Sequence, residues 1–194
     1  MPSGRLVAAD PFVTLLRQNA YYPVAAGKYP VRVTLDESIG REMYLSLCIS
    51  PSIEGVRRLL VPYRPDGSQY PEPEAGKYYG VAVDAGTICF VDDDAVQRCM
   101  PTDESSWLET VFDNSSPDCW FKRMDSSEHI GPGLANIVLP NAIGGENVVI
   151  CQSGWGDGFY PVVGGYDADG SLVAVHIDLL IFDGDCSGRL ARQV

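Results

Sequence analysis

The strongest constraint on the fold is a glycine-rich stretch inside the most apolar part of the chain, residues 148–182. It reads VVICQSGWGDGFYPVVGGYDADGSLVAVHIDLLIF. The pattern predicts a buried strand, a sharp crossing over residues 153–158, and two further strands joined at Asp169 and Gly170. Glycines in so apolar a segment cost chain entropy. The backbone here therefore has to turn sharply, or approach another group closely.

Short apolar segments separated by turn residues continue through the rest of the chain. Residues 29–35 alternate apolar and polar side chains, which predicts a half-buried strand, and residues 43–49 predict a second one. Residues 56–63 are expected to pair beside residues 43–49. Residues 78–84 and 87–91 flank a short turn and predict a hairpin. The chain is thus predicted to be rich in antiparallel strands.

Helical patterns are few and short. Residues 92–94 are three aspartates that favour a helix start, and Pro101 ends that helix. Residues 102–112 carry the best helical pattern, and residues 11–18 predict one or two helical turns. We therefore predict a single domain over residues 1–194, of mainly β (α+β) class. Its architecture is expected to be an antiparallel sandwich- or barrel-like sheet with two or three short helices.

Charge and cysteine usage restrict the classes of partner. The net charge is -12, from 26 acidic and 14 basic residues, which argues against nucleic acid or an anionic membrane as the partner. It suits a basic protein, a bound cation or simple solubility. No segment approaches the roughly 18 apolar residues of a membrane span, and the N-terminus lacks a signal-peptide core, which predicts the cytoplasm. The six cysteines form no CxxC pair, so we expect reduced thiols and no zinc site.

The crossing at residues 153–158 is the first candidate site. It lacks the GK[ST] ending of a phosphate loop, and the segment after it predicts a strand rather than the helix of a dinucleotide site. One interpretation makes Trp155 an apolar wall, Asp157 a hydrogen-bond acceptor or base, and the glycine amides ligand donors. The other is a bulged crossover in which Asp157 caps its own turn and Trp155 fills the core. The candidate ligand-binding residues are Ser153, Gly154, Trp155, Gly156, Asp157 and Gly158.

Ionisable residues near this crossing are the second candidate. His176 and Asp178 share one face of the last predicted strand, and two such groups need partners if they are buried. Together with Asp157 and Asp84 they are the candidate catalytic residues. A triad with Ser153 is disfavoured, because its base would have to lie between nucleophile and acid. No cofactor is predicted and no metal ligands are assigned, although convergence of several aspartates would allow a divalent cation.

Four segments resemble the family known as domain of unknown function 4241. They are GRLVAADP near the N-terminus, GKYPV at residues 27–31, YYGVAVDAGTICFVDDDA at residues 78–95, and residues 146–182. The string SGWGDGxYP is the most specific of them. The chain departs from the family pattern in having Asp178-Leu179 where Asp-Phe is expected, a conservative change that leaves the aspartate in place. The resemblance implies no activity, but it singles out Asp84, Gly154, Trp155, Gly156, Asp157, Gly158 and Asp178.

Three functional hypotheses follow. The first is a soluble, acidic, β-rich binding protein, of an immunity-type or partner-neutralising kind, that binds a basic protein surface. The second is a small-molecule hydrolase or metal-assisted enzyme with its site around residues 153–158. The third is a sensor that binds a small ligand in the same cleft without chemistry. The absence of a complete catalytic motif favours the first.

Overall fold

The computed structural model describes residues 1–15 and 19–181 and contains two antiparallel β-sheets with short helices beside one of them. The mainly β prediction is confirmed, and the sheets do not close into a barrel. The strands in chain order are β1 (Arg5–Ala9), β2 (Tyr22–Pro23), β3 (Val31–Asp36), β4 (Arg41–Cys48), β5 (Val56–Leu59), β6 (Gly80–Val83), β7 (Thr87–Asp92), β8 (Leu134–Val138), β9 (Asn147–Gln152), β10 (Gly158–Tyr166) and β11 (Leu172–Asp178).

The two sheets differ in size and strand order. The five-stranded sheet runs β2-β1-β7-β9-β8. The six-stranded sheet runs β3-β4-β11-β10-β5, and β6 pairs with the first half of β10 beyond the end of β5. The predicted strand pair about Asp169 and Gly170 is present as the β10–β11 hairpin. Residues 153–157 connect β9 to β10, which begins at Gly158, so the crossing at residues 153–158 carries the chain from one sheet to the other.

Strand β7 shows why the five-stranded sheet is the middle layer. All six of its residues are buried, as expected for a strand that is covered on both faces. Ile88 and Phe90 belong to the core between the sheets, whereas Cys89 and Val91 belong to a second core on the opposite side. The protein therefore has three layers, in the order helices, five-stranded sheet, six-stranded sheet.

The helical layer consists of short segments that cover the outer face of the five-stranded sheet. Helix α1 (Asp93–Cys99) begins at Asp92, whose carboxylate accepts from the amide of Ala95 at 3.0 Å, as the aspartate run predicts. A 3₁₀ turn (Glu104–Ser106), a π-helix (Leu108–Phe112) and helix α2 (Trp120–Asp125) follow. Their apolar side chains pack with those of the sheet in one core that includes Trp107, Phe112, Trp120 and Met124.

Two predicted strand pairings are wrong. Residues 78–84 and 87–91 do not form a hairpin, because β6 pairs with β10 in one sheet while β7 pairs with β1 and β9 in the other. Strand β5 lies beside β10 rather than beside β4, whose neighbours are β3 and β11. In both cases a partner distant in sequence displaces the local one. Sequence proximity was therefore a poor guide to pairing.

The best predicted helix, residues 102–112, is irregular. Asp103 caps the 3₁₀ turn, and the amide of Asp113 donates to the carbonyl of Leu108, which is the wider π-helical spacing. The indole of Trp107 is held by its hydrogen bond to the Pro101 carbonyl at 2.8 Å. Of the predicted helical turn at residues 11–18, residues 11–15 form a turn and residues 16–18 lie outside the described residues. In residues 1–15 and 19–181, no helix is long and apolar enough to cross a membrane.

Candidate functional site

The crossing at residues 153–158 is held by a hydrogen bond between two of its own residues and by bonds to Tyr160 and Gly86. The Ser153 hydroxyl donates to the Gly156 carbonyl at 2.6 Å, and the hydroxyl of Tyr160 donates to the same carbonyl at 2.9 Å. Ser153 is fully buried, and its amide donates to the Gly86 carbonyl at 3.0 Å. Its hydroxyl therefore stabilises the turn.

The loops that carry Asp157 and Asp84 meet at the junction between this crossing and the β6–β7 connection. The exposed Asp157 accepts from the amide of Gly86 at 3.1 Å, so it stabilises the neighbouring loop. The amides of Asp84 and Ala85 both donate to one carboxylate oxygen of the buried Asp10, at 2.9 and 2.8 Å. The structure thus brings the Asp84 loop and the Asp157 turn together, and Asp10 fixes the place where the chain changes sheets.

Trp155 lies at the surface rather than in the core. Its side chain is 56% exposed, its indole N–H donates to the Leu180 carbonyl at 3.3 Å, and the Arg41 guanidinium lies 4.9 Å from its ring. Arg41 also donates to the Gly154 carbonyl. Gly154 has a φ of 68°, and a Cβ there would lie 2.8 Å from the Glu42 carbonyl oxygen, so only glycine fits without strain. The alternative in which Trp155 fills the core is wrong.

His176 has a hydroxyl partner, but a different one from the serine considered in the sequence. Its Nδ1 lies 2.7 Å from the Ser46 Oγ on the adjacent strand β4, and both residues are about 1% exposed. Burial, and to a smaller extent the nearby Arg57 charge, lower the pKa of His176 to about 3. The ring is therefore neutral at physiological pH. A neutral imidazole held this firmly against protonation is poorly suited to act as a general base.

His176 lies in a row of side chains on the outer face of the six-stranded sheet. The register aligns Arg32 of β3, Ser46 of β4, His176 of β11 and Val163 of β10. Cross-strand partners share one face of a sheet, so this row points away from the core between the sheets. The neighbouring rows add the buried polar residues Thr34 and Asp178, the buried Cys48, and the half-buried Tyr44 and Arg57.

Arg57 and Tyr44 bridge this face from opposite sides. The Arg57 guanidinium carbon lies 4.1 Å from the centre of the Tyr44 ring. Arg57 is on β5 and Tyr44 on β4, three strand spacings apart or roughly 14 Å, so the two side chains meet above the strands between them. His176 lies on one of those strands, with its ring centre 6.2 Å from that of Tyr44. The Arg57–Tyr44 pair therefore covers His176.

The four candidate catalytic residues thus fall into two groups. Asp84 and Asp157 lie at the junction of the crossing loops, and His176 and Asp178 lie on the outer face, where the Leu180 amide donates to the Asp178 carboxylate at 3.0 Å. Within the described residues, no group of three or more His, Cys, Asp or Glu side chains is placed to hold a metal ion. Cys48, Cys89, Cys99, Cys119 and Cys151 are buried free thiols, and Cys186 lies outside the described residues.

Sequence reasoning missed the partners of His176. Ser46 and Tyr44 sit in the segment MYLSLC, whose alternation does indicate that they share a face. That β4 lies next to β11, 130 residues later, has no local signal. Arg57 was missed for the same reason, because β5 was expected beside β4.

These observations define the fold class: two stacked antiparallel sheets with short helices on one side, in three layers. A family model described as protein of unknown function (DUF4241) matches residues 1–177. The chain belongs to that family, as the resemblance of its sequence indicated. No curated protein and no solved structure matches it.

Proposed function

We propose that the protein is a binding protein whose helical layer docks on a basic surface of a protein partner. One observation carries the proposal. Residues 103–128 hold seven exposed carboxylates against two basic side chains, Lys122 and Arg123. The seven are Asp103, Glu104, Glu109, Asp113, Asp118, Asp125 and Glu128, and together they are named the acidic face.

The local structure explains how the acidic face arises. The apolar side chains of this region, such as Trp107, Phe112 and Trp120, turn inward to the core above the five-stranded sheet. The carboxylates are left on the solvent side of these short helices and of the turns between and beside them. Two exposed apolar side chains lie within or beside this face, Leu108 at 58% and Ile130 at 54% exposure. Charged residues around a few exposed apolar groups are the usual composition of a protein-binding surface.

The charge also predicts how binding would behave. Carboxylates of one sign over a short segment attract a basic surface, raise the association rate and make it sensitive to salt. The same charge disfavours nucleic acid and anionic lipid as partners. An immunity-type protein that neutralises a basic toxin is one form of this proposal. Buried free thiols suit a reducing compartment, so a cytoplasmic location is part of the proposal.

Carbodiimide cross-linking tests the proposal, because it joins carboxylates directly to lysines of a bound protein. The tagged full chain is incubated with an extract of the producing cells, cross-linked, and the linked peptides are mapped by mass spectrometry. We expect the principal links to fall within residues 103–128 and to disappear at high salt.

A pair of matched variants makes this test specific. The first replaces Glu104, Glu109, Asp113 and Glu128 by their amides and should lose capture of the partner. The second replaces four exposed glutamates elsewhere by glutamine and should retain it; these are Glu37, Glu54, Glu72 and Glu74. Links spread evenly over the chain, or equal losses in the two variants, would contradict the proposal.

The hydrolase, metal-assisted and sensor alternatives use residues 153–158 and the nearby aspartates. The exposed Trp155 and the exposed Asp157, two residues further along the chain, are the features that a ligand there would use. Against this, the Ser153 hydroxyl and the Gly156 carbonyl are already bonded to each other. A melting experiment with EDTA and then with Mg²⁺, Ca²⁺, Mn²⁺ or Zn²⁺ tests the metal-assisted alternative. A selective shift that Asp157→Asn removes would favour the metal-assisted enzyme over the binding protein.

A further inference from the structure

Strand β3 lies at one edge of the six-stranded sheet. In the part of the chain that the structure describes, β4 is the only strand that pairs with it. The amide of Cys48 on β4 donates to the Pro30 carbonyl at 2.8 Å, and hydrogen-bonded positions alternate along an antiparallel pair. The backbone groups of Val31, Val33 and Leu35 therefore point away from β4. A row of amides and carbonyls of this kind can pair with a strand of another chain.

The backbone of β3 keeps its regular alternation even where its pairing with β4 shifts. Thr34 lies opposite Tyr44, whereas the next residue, Leu35, lies opposite Glu42. The extra residue of this bulge is therefore Met43, on β4. A bulge bends the strand that contains the extra residue. Strand β3 is the other member of the pair, so it presents a regular extended edge.

Three other strands lie at the ends of the two strand orders, and each is less suited to pairing with a copy of itself. On β8, the amide of Asn136 already donates to the Nε2 of His129 at 3.1 Å. Strand β2 has only two residues, one of which is a proline. Strand β5 carries Arg57 and Arg58 side by side, so self-pairing would bring like charges together. Strand β3 is therefore the edge on which a second copy can pair.

The sequence of β3, VRVTLD, is complementary to itself in charge. When two copies lie antiparallel about Thr34, Arg32 of each copy lies directly opposite Asp36 of the other. In the same register, Val33 of each copy lies opposite Leu35 of the other, so the backbone groups that point outward meet. Unlike charges directly opposite each other stabilise an antiparallel pair. The arrangement has two-fold symmetry, which is the commonest symmetry among homo-oligomers.

The Asp36 carboxylate can take part in such a pair. The Ser38 hydroxyl and amide both donate to one of its oxygens, at 2.5 and 2.7 Å, and these bonds leave the other oxygen unused. They also lower the pKa of the Asp36 carboxyl, which keeps it charged at physiological pH. Arg41, opposite Asp36 on β4, donates instead to the Gly154 carbonyl. An arginine of a second copy can therefore approach Asp36.

We propose that β3 is a dimerisation edge, on which a second copy of this chain pairs antiparallel about Thr34 with Arg32 and Asp36 opposite each other. The six-stranded sheets of the two copies then form one continuous sheet. A net charge of -12 on each copy opposes association, so the dimer forms at high protein concentration. The acidic face contains none of these residues, so dimerisation and the proposed partner binding succeed or fail independently.

Sedimentation velocity of the full chain, over a concentration series from micromolar to millimolar, tests the dimer. We expect a change from monomer to dimer along the series. Arg32→Asp places carboxylates opposite each other and should weaken dimerisation roughly tenfold or more. Asp36→Arg should weaken it similarly, and the double variant, which exchanges the two charges, should restore it. Arg58→Asp is the matched control, because it makes the same charge change on the edge strand β5 and should leave the dimer intact.

Amide hydrogen exchange measured by NMR locates the interface. We expect exchange at Val33 and Leu35 to slow as the protein concentration rises, because their amides become hydrogen-bonded in the dimer. Leu59 provides the internal control. The amide of Leu60 donates to the Val162 carbonyl at 3.0 Å, so the amide of Leu59 points away from β10. Exchange at Leu59 should not depend on concentration.

Three results would overturn the proposal. The first is a chain that stays monomeric at every concentration, and the second is a dimer that Arg32→Asp weakens no more than Arg58→Asp does. The third is a folded double variant that does not recover dimerisation. Circular dichroism checks the fold, and if Asp36→Arg does not fold, the comparison of Arg32→Asp with Arg58→Asp still decides. If the chain stays monomeric while an extract of the producing cells slows exchange at Val33 and Leu35, the edge pairs with another protein and the second copy is the wrong occupant.

Discussion

The outer faces of the two sheets both bury side chains, but one buries apolar side chains and the other buries polar ones. On the five-stranded sheet, apolar side chains point outward and short helices bring tryptophan and phenylalanine rings to cover them. On the six-stranded sheet, Thr34, Ser46, His176 and Asp178 point outward and are nevertheless buried. An apolar face needs only close packing, whereas a buried polar face needs a specific partner for each group. The first face is stabilised by its packing, whereas the second depends on hydrogen bonds to individual groups.

The largest effect should come from the helix-covered face. Trp120 is 2% exposed and packs against Phe12 and Phe112. We expect Trp120→Ala to lower the free energy of unfolding by about 3–5 kcal/mol, because it leaves a large cavity in the core. Urea denaturation followed by circular dichroism measures this. Trp155→Ala, which removes an exposed ring, should cost less than about 1 kcal/mol.

The next effect is a pH dependence of stability that arises from His176, on the outer face of the six-stranded sheet. The folded-state pKa of His176 is about 3, below the ordinary value near 6.5. Between these two pH values the unfolded chain binds a proton at His176 and the folded protein does not. Its contribution to stability is complete above pH 6.5 and is lost as the pH falls toward 3. We expect a loss of about 2 kcal/mol between about pH 8 and pH 5.

The His176→Asn variant is the control for this pH dependence. Asparagine can still bond to Ser46 but does not titrate, so its stability should change less over the same pH range. All other ionisable groups are common to both proteins, so their effects cancel in the comparison. Parallel pH profiles of denaturant midpoints would mean that His176 is not the buried neutral group.

Asp10 links the two sheets and should give an intermediate effect. One of its oxygens accepts from the amides of Asp84 and Ala85, and the other accepts from the amide of Phe12 at 3.0 Å. Asp10→Asn keeps the shape but replaces one oxygen by a donor, so amides lose their acceptor. We expect a loss of about 1–3 kcal/mol in unfolding free energy. Asp66→Asn, in an exposed turn, is the matched substitution and should change stability much less than Asp10→Asn does.

The smallest effect concerns the cover of the polar face. Arg57→Met should change stability by no more than about 1 kcal/mol, because the guanidinium–Tyr44 contact is partly exposed. Calorimetry compares it with Arg58→Met. A loss as large as that of Trp120→Ala would show that Arg57 supports the sheet as the helices do, and would remove the distinction between the two faces.

Sequence patterns were most informative where the cause is local. The aspartates at residues 92–94 predicted the start of α1, and Asp169 with Gly170 predicted the β10–β11 turn, because capping and turn preferences depend on adjacent residues. The mainly β class followed from alternation within single segments. The one-domain prediction over residues 1–194 and the proposed roles of residues 153–158 stay predictions.

What the sequence by itself determined is therefore the list of elements, their alternating faces, the family and the presence of a sharp crossing at residues 153–158. Tertiary structure decided which strand lies beside which, and so placed Ser46 against His176 and Arg57 over Tyr44. The reason is physical. A strand's own residues set which side chains share a face, but its neighbour is chosen by burial of the whole sheet, and that choice depends on residues more than a hundred positions away.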